Sequence, residues 1–168
     1  MPYDEHFILA DNFLGHLDGV ISGIQDDELK SRYTGFVAVT SVTVYELAIK
    51  QIFFDFAKKK HRIFGEFVRE KFSKMNGRIG KDELLGDHVK MFGAKYVTKF
   101  KSNLELLEKE VLVREGRSVK SCYANVILWR NGFVHGGKIP ENATYEEART
   151  SFIFGKSLVI CLAESMKR

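Results

Sequence analysis

Between Val119 and Gly137 the sequence reads Val-Lys-Ser-Cys-Tyr-Ala-Asn-Val-Ile-Leu-Trp-Arg-Asn-Gly-Phe-Val-His-Gly-Gly, with an arginine at 130, an asparagine at 131 and a histidine at 135. A guanidinium fork matches phosphate oxygens, and an imidazole exchanges a proton near neutral pH. Together they could move the proton that starts a phosphoryl reaction and hold the charge that builds in its transition state. Val119, Cys122, Tyr123 and Val126 recur at helical spacing, and Arg130 continues their stripe about three turns on from Val119. A cation turned toward a core is costly unless it is paired or opens onto a cleft, which makes Arg130 a candidate. His135 lies about 140° further round a straight helix, so the two share a face only if the helix ends or bends between them. Gly132, Gly136 and Gly137 supply the means. A helix C-terminus that catalyses nothing accounts for the same residues, since Arg and His suit the negative end of the dipole and Asn131 and the glycines suit the cap. Spacing alone leaves both readings open.

The elements that must position these groups read as helices. Over residues 34 to 60, Val39, Val42, Glu46, Ile49, Phe53 and Phe56 alternate three and four apart, with Glu46 inside the seam. A carboxylate there wants a cation, so Glu46 is expected within salt-bridge or single-water reach of Arg130, in one chain or across a dimer interface. Lys50, one turn beyond, offers the simpler i,i+4 pair. Before it, residues 2 to 29 read as a first long helix with Pro2 in its first turn and Phe7, Phe13, Leu14, Leu17, Val20, Ile21 and Ile24 as apolar positions. Gly15, Gly19 and Gly23 line a smooth edge where another helix is expected to pack.

Further along, Ile63, Phe64, Phe67, Val68 and Phe72 predict a short amphipathic helix over 63 to 75. Asn76-Gly77 predicts a turn, and a further helical piece near Lys81 to Met91 breaks at Gly93. Ser102 to Glu105 has capping-box spacing and predicts a helix over 102 to 113, closed by Gly116, with Ser118 capping the Arg130 helix. After Gly136-Gly137 and Pro140, Thr144 to Glu147 repeats that spacing. It opens a last helix through Tyr145, Ala148, Phe152, Gly155, Val159, Leu162 and Met166. No segment alternates with period two, and the fold class expected is an all-α bundle of five to seven helices.

At 168 residues and 19.2 kDa the chain is expected to be a single domain, 1–168. Its 45% hydrophobic residues and two prolines favour a folded helical protein. No stretch is read as reaching the roughly 20 apolar residues of a membrane span, and Met-Pro-Tyr-Asp-Glu does not begin a signal peptide, so a cytoplasmic location away from membranes is expected. Cys122 and Cys161 sit at apolar helical positions and read as reduced core residues; no Cys-x-x-Cys spacing suggests a structural zinc. Charge is uneven: Lys58 to Lys101 holds 13 Lys and Arg against 5 Asp and Glu, while the rest stands at 13 against 17. That points to an anionic partner such as RNA, with Lys50, Lys58, Lys59, Lys60, Arg62, Lys95 and Lys99 as candidate contacts. A solvated lysine-rich surface is the alternative.

Arg130-Asn131-Gly-Phe-Val-His135-Gly resembles the Arg-x4-His motif of HEPN domains, in which a polar residue typically follows the arginine and a small one often follows the histidine. Two long helices, a middle of shorter ones, the motif and a closing helix are similar to the RiboL-PSP type of that superfamily, over essentially the whole chain. The resemblance implies an endoribonuclease that needs neither metal nor cofactor, of toxin, antiphage-defence or RNA-processing kind, with a composite site at a homodimer interface. Carried over, Arg130, Asn131 and His135 are the site residues; the seam argument adds Glu46. A cognate antitoxin or other defence-system protein is an implied partner. Some HEPN toxins carry a tyrosine two residues past the histidine that a partner enzyme modifies; here Gly137 stands there, which puts that control in doubt. Two rivals remain: a non-catalytic HEPN serving as an RNA-binding, antitoxin or dimerisation module, and a structural helical protein in which Arg130 and Glu46 are only a buried pair.

Overall fold

Asp26 decides where the longest helix begins. In the computed structural model, which describes residues 2–138 and 143–167, its side chain accepts hydrogen bonds from the N–H groups of Glu28 and Leu29 at 2.9 and 3.2 Å. Two orphan donors are thereby satisfied. Helix α1 therefore spans Asp4–Ser22 and α2 Asp27–Lys58, where the sequence pattern placed the boundary near residues 29 to 34. The apolar periodicity runs through the junction, but the Asp26 cap overrides it.

Helix α3 follows at Arg62–Phe72. Asn76 and Gly77 take left-handed backbone angles, φ 46° and 81°, and make the expected turn. A short α4, Lys81–Glu83, runs into a wide turn at Leu84–His88 and a tight one at Val89–Phe92, ended by Gly93 at φ 114°. Helix α5, Ala94–Glu115, starts there and not at Ser102, which lies in its interior. Ser-x-x-Glu spacing also occurs within helices, and the buried pair Phe100 and Leu104 shows one stripe crossing the supposed boundary. Gly116 closes α5 in the left-handed region, φ 65°, as expected. Ser118 caps α6, Val119–Gly136, by accepting from the Ser121 N–H at 3.0 Å. Thr144 caps α7, Tyr145–Met166, by accepting from the Glu147 N–H at 3.1 Å. Among the described residues there are seven helices and no strands. The expected break at Pro140 lies outside the described residues.

Helix α2 is the central element, packed against α1, α3, α6 and α7, while α7 also covers α5 and α6. This position explains a feature that the sequence reading missed: α2 is long and apolar enough, by length and composition, to cross a membrane. Its apolar side chains face other helices on several sides, with Val37, Val42, Tyr45, Ile49 and Phe53 all buried. The predicted α7 stripe is buried throughout. In α1, by contrast, Phe13 and Val20 are exposed and Ala10 takes a core place. Nothing stands within 4 Å of a Cβ built on Gly15 or Gly19, so the expected helix does not pack on that edge.

Three helices meet in an aromatic stack. Tyr45 of α2 lies between Tyr123 of α6 and Phe152 of α7, at centroid distances of 5.3 and 5.9 Å, each pair 11° from parallel. The Tyr45 hydroxyl donates to the Phe152 carbonyl at 2.6 Å and that of Tyr123 to the Ile79 carbonyl at 2.5 Å, so both buried phenols are satisfied. Cys122 and Cys161 are free and buried, and burial pushes both thiols up, Cys161 to about 11.

Helix α1 is clasped to α7 by charge. Arg149 donates through Nε and Nη2 to the two oxygens of Asp18, at 2.9 and 2.8 Å, and the Tyr145 hydroxyl adds 2.6 Å to Oδ1. The Arg149 hydrogen bond holds the Asp18 carboxyl below its ordinary 3.8. A carboxyl lowered on folding contributes stability that is present above its unfolded pKa and lost as pH falls through the folded one. Asp18→Asn should therefore lower the urea midpoint at pH 7, and the gap to the parent protein should close as both are titrated below about pH 4. A gap constant down to pH 2 would show that the clasp's charge contributes nothing.

Candidate active site

Arg130 is half-buried, on the stripe that holds Val119, Tyr123 and Val126. Its Nη1 donates to Oδ1 of Asn131 at 3.0 Å. The guanidinium also rests against Gly77: a Cβ built there would lie 3.2 Å from Nη1 and 3.5 Å from Cζ. The left-handed Asn76-Gly77 turn therefore serves twice, since it redirects the chain and leaves room for the arginine.

The other side of that turn belongs to Glu46. Its Oε2 accepts from the Gly77 N–H at 2.6 Å, and its Oε1 from Lys50 Nζ at 2.6 Å. Lys50 Nζ donates as well to the Ser73 carbonyl at 3.2 Å. Among the described residues Glu46 makes no direct salt bridge with Arg130, one of the forms the expectation allowed beside a bridging water or a partner copy. The cation of Glu46 is Lys50, one turn away on its own helix and reached without crossing to another. Glu46 and Arg130 converge on one glycine, the first through its N–H and the second through its Cα. Lys50, expected on RNA, has two of its three donors engaged in this joint.

Helix α6 does not end between Arg130 and His135. It runs through Gly136, and the Gly137 N–H, at φ 59°, donates to the Phe133 carbonyl at 3.1 Å while Lys138 N–H donates to that of Gly132 at 3.2 Å. These two bonds close the helix in a left-handed cap after the histidine. Gly132 stays helical because Phe133 beside it is anchored: its ring lies so close over Gly35 of α2 that a Cβ there would come within 2.3 Å, and its centroid is 5.7 Å from that of Phe36. In one copy of the chain His135 therefore points about 140° away from Arg130 and is exposed. Asn131, one turn before His135 on that exposed face, holds Arg130 by its side chain. A line of polar groups thus runs from the inward arginine through Asn131 toward the outward histidine. Leu128, 67% exposed, and Val134, 48% exposed, flank it. Trp129, half-buried next to Arg130, packs against the core.

The basic candidates lie elsewhere. Lys58, Lys59, Lys60, Arg62 and Lys95 are exposed around the C-terminus of α2 and the start of α5, and Lys99 donates to the Lys167 carbonyl at 2.7 Å. Phe133 meets the opposite end of α2 at Gly35, and at roughly 1.5 Å per residue about 36 Å of helix separates Gly35 from Lys59. The structure does not bring this segment to Arg130 and His135 within one copy. Arg78 is nearer, exposed beside Gly77 and without a carboxylate partner among the described residues. Sequence reasoning missed Gly77, Gly35 and Phe133 as supports of the motif. Asn76-Gly77 was legible only as a turn, and Gly35 carries no local signal at all.

No curated protein and no solved structure matches the sequence. The model of the family described as RiboL-PSP-HEPN matches residues 9–168. Functions in HEPN domains are of ribonuclease or RNA-binding type, often with dimerisation. With a match that spans nearly the whole of this all-helical chain, the protein belongs to the RiboL-PSP-HEPN family.

Proposed function

We propose that the protein is a metal-independent endoribonuclease of toxin or antiphage-defence type, acting in the cytoplasm through a composite Arg/His site where two copies meet. The observation that carries this reading is the Arg130 to Asn131 hydrogen bond, which ties the guanidinium of the half-buried Arg130 to the exposed face that bears His135. RNA supplies its own nucleophile. His135 takes the proton of a 2′-hydroxyl, the oxygen attacks the adjacent phosphorus, and the 5′-oxygen leaves with a proton returned to it. Arg130 stabilises the charge on the phosphorane oxygens, and Asn131 orients the guanidinium. The products are a 2′,3′-cyclic phosphate, or the 3′-phosphate it hydrolyses to, and a 5′-hydroxyl.

A second copy has a surface to meet. Leu128 and Val134 are both exposed beside Asn131 and His135, and apolar side chains gathered about polar ones suit an interface. In such a pair the histidine of one copy approaches the arginine of the other, which removes the obstacle of their angular separation. Glu46 acts from behind, holding Gly77 and hence the guanidinium's seat.

The test uses pure protein and an RNA carrying one 2′-deoxy nucleotide at the cleaved position. Cleavage is expected at the ribonucleotide, unaffected by EDTA, and lost at the deoxy substitution, read by gel and by the chemistry of the new ends. Cleavage across the deoxy position, leaving a 5′-phosphate, would refute the 2′-hydroxyl mechanism. The unbroken α6 helix favours one other reading, a non-catalytic HEPN that binds RNA or dimerises, because one copy alone does not bring Arg130 and His135 to one face. It predicts retention of RNA on the protein with no new ends.

A further inference from the structure

His61 stands between the lysines that close α2 and the start of α3, and its Nδ1 accepts from the Ile63 N–H at 3.2 Å. Helix α3 then folds back on α2 with Gly65 against it, where an added Cβ would lie 3.0 Å from the Cα and Cβ of Lys58. That close approach fixes which side of the helix faces inward. Gly65, Val68 and Phe72 are buried, and at about 100° per residue the outward side carries Ile63 and Phe67. These two are one turn apart, 69% and 58% exposed, and form an apolar ridge open to solvent.

Cations surround the ridge. From Lys58 to Lys74 there are seven Lys and Arg against two Asp and Glu. Lys58, Lys59, Lys60, Arg62, Lys71 and Lys74 are exposed and have no carboxylate partner among the described residues. Lys58 Nζ and Arg69 Cζ lie 5.4 and 4.2 Å from the centroid of the Phe54 ring. Of the two carboxylates, Glu66 is neutralised by Arg69 at 2.9 Å, and Glu70 is exposed with no ion-pair partner among the described residues. Such a field calls for an anionic partner. RNA stacks its bases on aromatic rings, a use open to Phe67 but not to Ile63, the more exposed of the two. An acidic helix of another protein seats its apolar side chains in a groove, whereas here the apolar groups stand outward. A bilayer takes outward apolar groups into the boundary between headgroups and acyl chains, while lysines reach to the anionic headgroups.

We infer that α3 lies on the surface of a membrane rich in anionic lipid. Ile63 and Phe67 enter the acyl boundary, and Lys58, Lys59, Lys60, Arg62, Lys71 and Lys74 meet the headgroups. Lying on a bilayer requires no spanning segment, so the sequence argument against a membrane does not reach this ridge. Eleven residues with two inserted side chains hold weakly and reversibly, and salt loosens them further.

The experiment is flotation of the intact protein with phosphatidylcholine vesicles and with vesicles of equal parts phosphatidylcholine and phosphatidylglycerol, in the absence of RNA. Partitioning should be at least tenfold stronger onto the anionic vesicles and should fall as salt is raised. Ile63→Ser with Phe67→Ser, both on the exposed side of α3, should weaken it at least tenfold with the circular dichroism spectrum unchanged. Glu70→Lys should strengthen it, which keeps the inference open to test if the serine variant does not fold. Equal partitioning onto both kinds of vesicle, none onto either, partitioning unchanged in the folded serine variant, or no gain from Glu70→Lys overturns it. A fully 2′-O-methylated oligonucleotide, which cannot be cleaved through its 2′ positions, serves as the second probe. Its retention reduced tenfold by the serine substitutions while vesicle binding is untouched assigns the ridge to RNA and also overturns the inference. Vesicle binding is read without any cleavage, so this inference and the nuclease reading stand or fall separately.

Discussion

His135→Ala should lower RNA cleavage by roughly a thousandfold while the protein stays folded, because a positioned general base contributes on the order of 10²–10⁴ in rate. The structure makes this variant clean. The imidazole is exposed, and among the described residues no hydrogen bond engages it, so its removal opens no cavity and orphans no buried group. At the end of α6 the loss of a favourable dipole interaction costs at most about 1 kcal/mol, and alanine's helix propensity offsets part of that. Cleavage is read on a defined RNA by gel, and folding by the thermal midpoint. Undiminished cleavage by rigorously purified variant protein would remove His135 from the mechanism. Complete loss of activity with a midpoint fallen by tens of degrees would show a structural role instead.

Gly155→Val should have the largest effect on stability, about 2–3 kcal/mol or more. A Cβ built at Gly155 would lie 2.6 Å from the Tyr45 hydroxyl and 3.1 Å from the Tyr123 Cα. The first contact is with a phenol that already donates to the Phe152 carbonyl, and the second is with main chain that cannot swing aside. Valine would have to push α6 off α7 and open the stack of Tyr123, Tyr45 and Phe152. Gly15→Ala supplies the matched comparison. It meets nothing within 4 Å, so the usual gain of about 0.5–1 kcal/mol from replacing a helical glycine should appear. Urea midpoints of both variants decide the matter. A Gly155→Val midpoint at or above that of the parent would mean that the two helices can separate at little cost.

Much of the fold could be read from periodicity. The α7 stripe from Tyr145 to Met166 is buried as its spacing requires, and the α2 seam through Val42, Ile49 and Phe53 faces the core. Caps were legible where one residue stood alone before a periodic run, as at Ser118 and Thr144. They were misread where the pattern ran through the boundary. Asp26 was hidden by apolar positions on both sides of it, and Ser102 was mistaken for a cap because its spacing to Glu105 also arises within α5.

At the site, the inward direction of Arg130 follows from counting turns, and the half-buried residue with its guanidinium against Gly77 agrees. What spacing could not reveal is how its seat is built. Glu46 sits in the seam for a reason that involves the main chain of residue 77, brought there by a turn 31 residues downstream. The glycines after Arg130 suggested a bend, whereas Phe133 pressed on Gly35 keeps the helix whole as far as Gly136. Both are long-range contacts, and no local pattern encodes them.

That continuous helix also carries the chain's single tryptophan, directly before Arg130 and half sunk into the core. The indole is therefore a built-in optical reporter at the motif. Its emission colour and quenching by iodide register events around the arginine without any label, while the stacked tyrosines, sealed from water, stay silent to the same quencher.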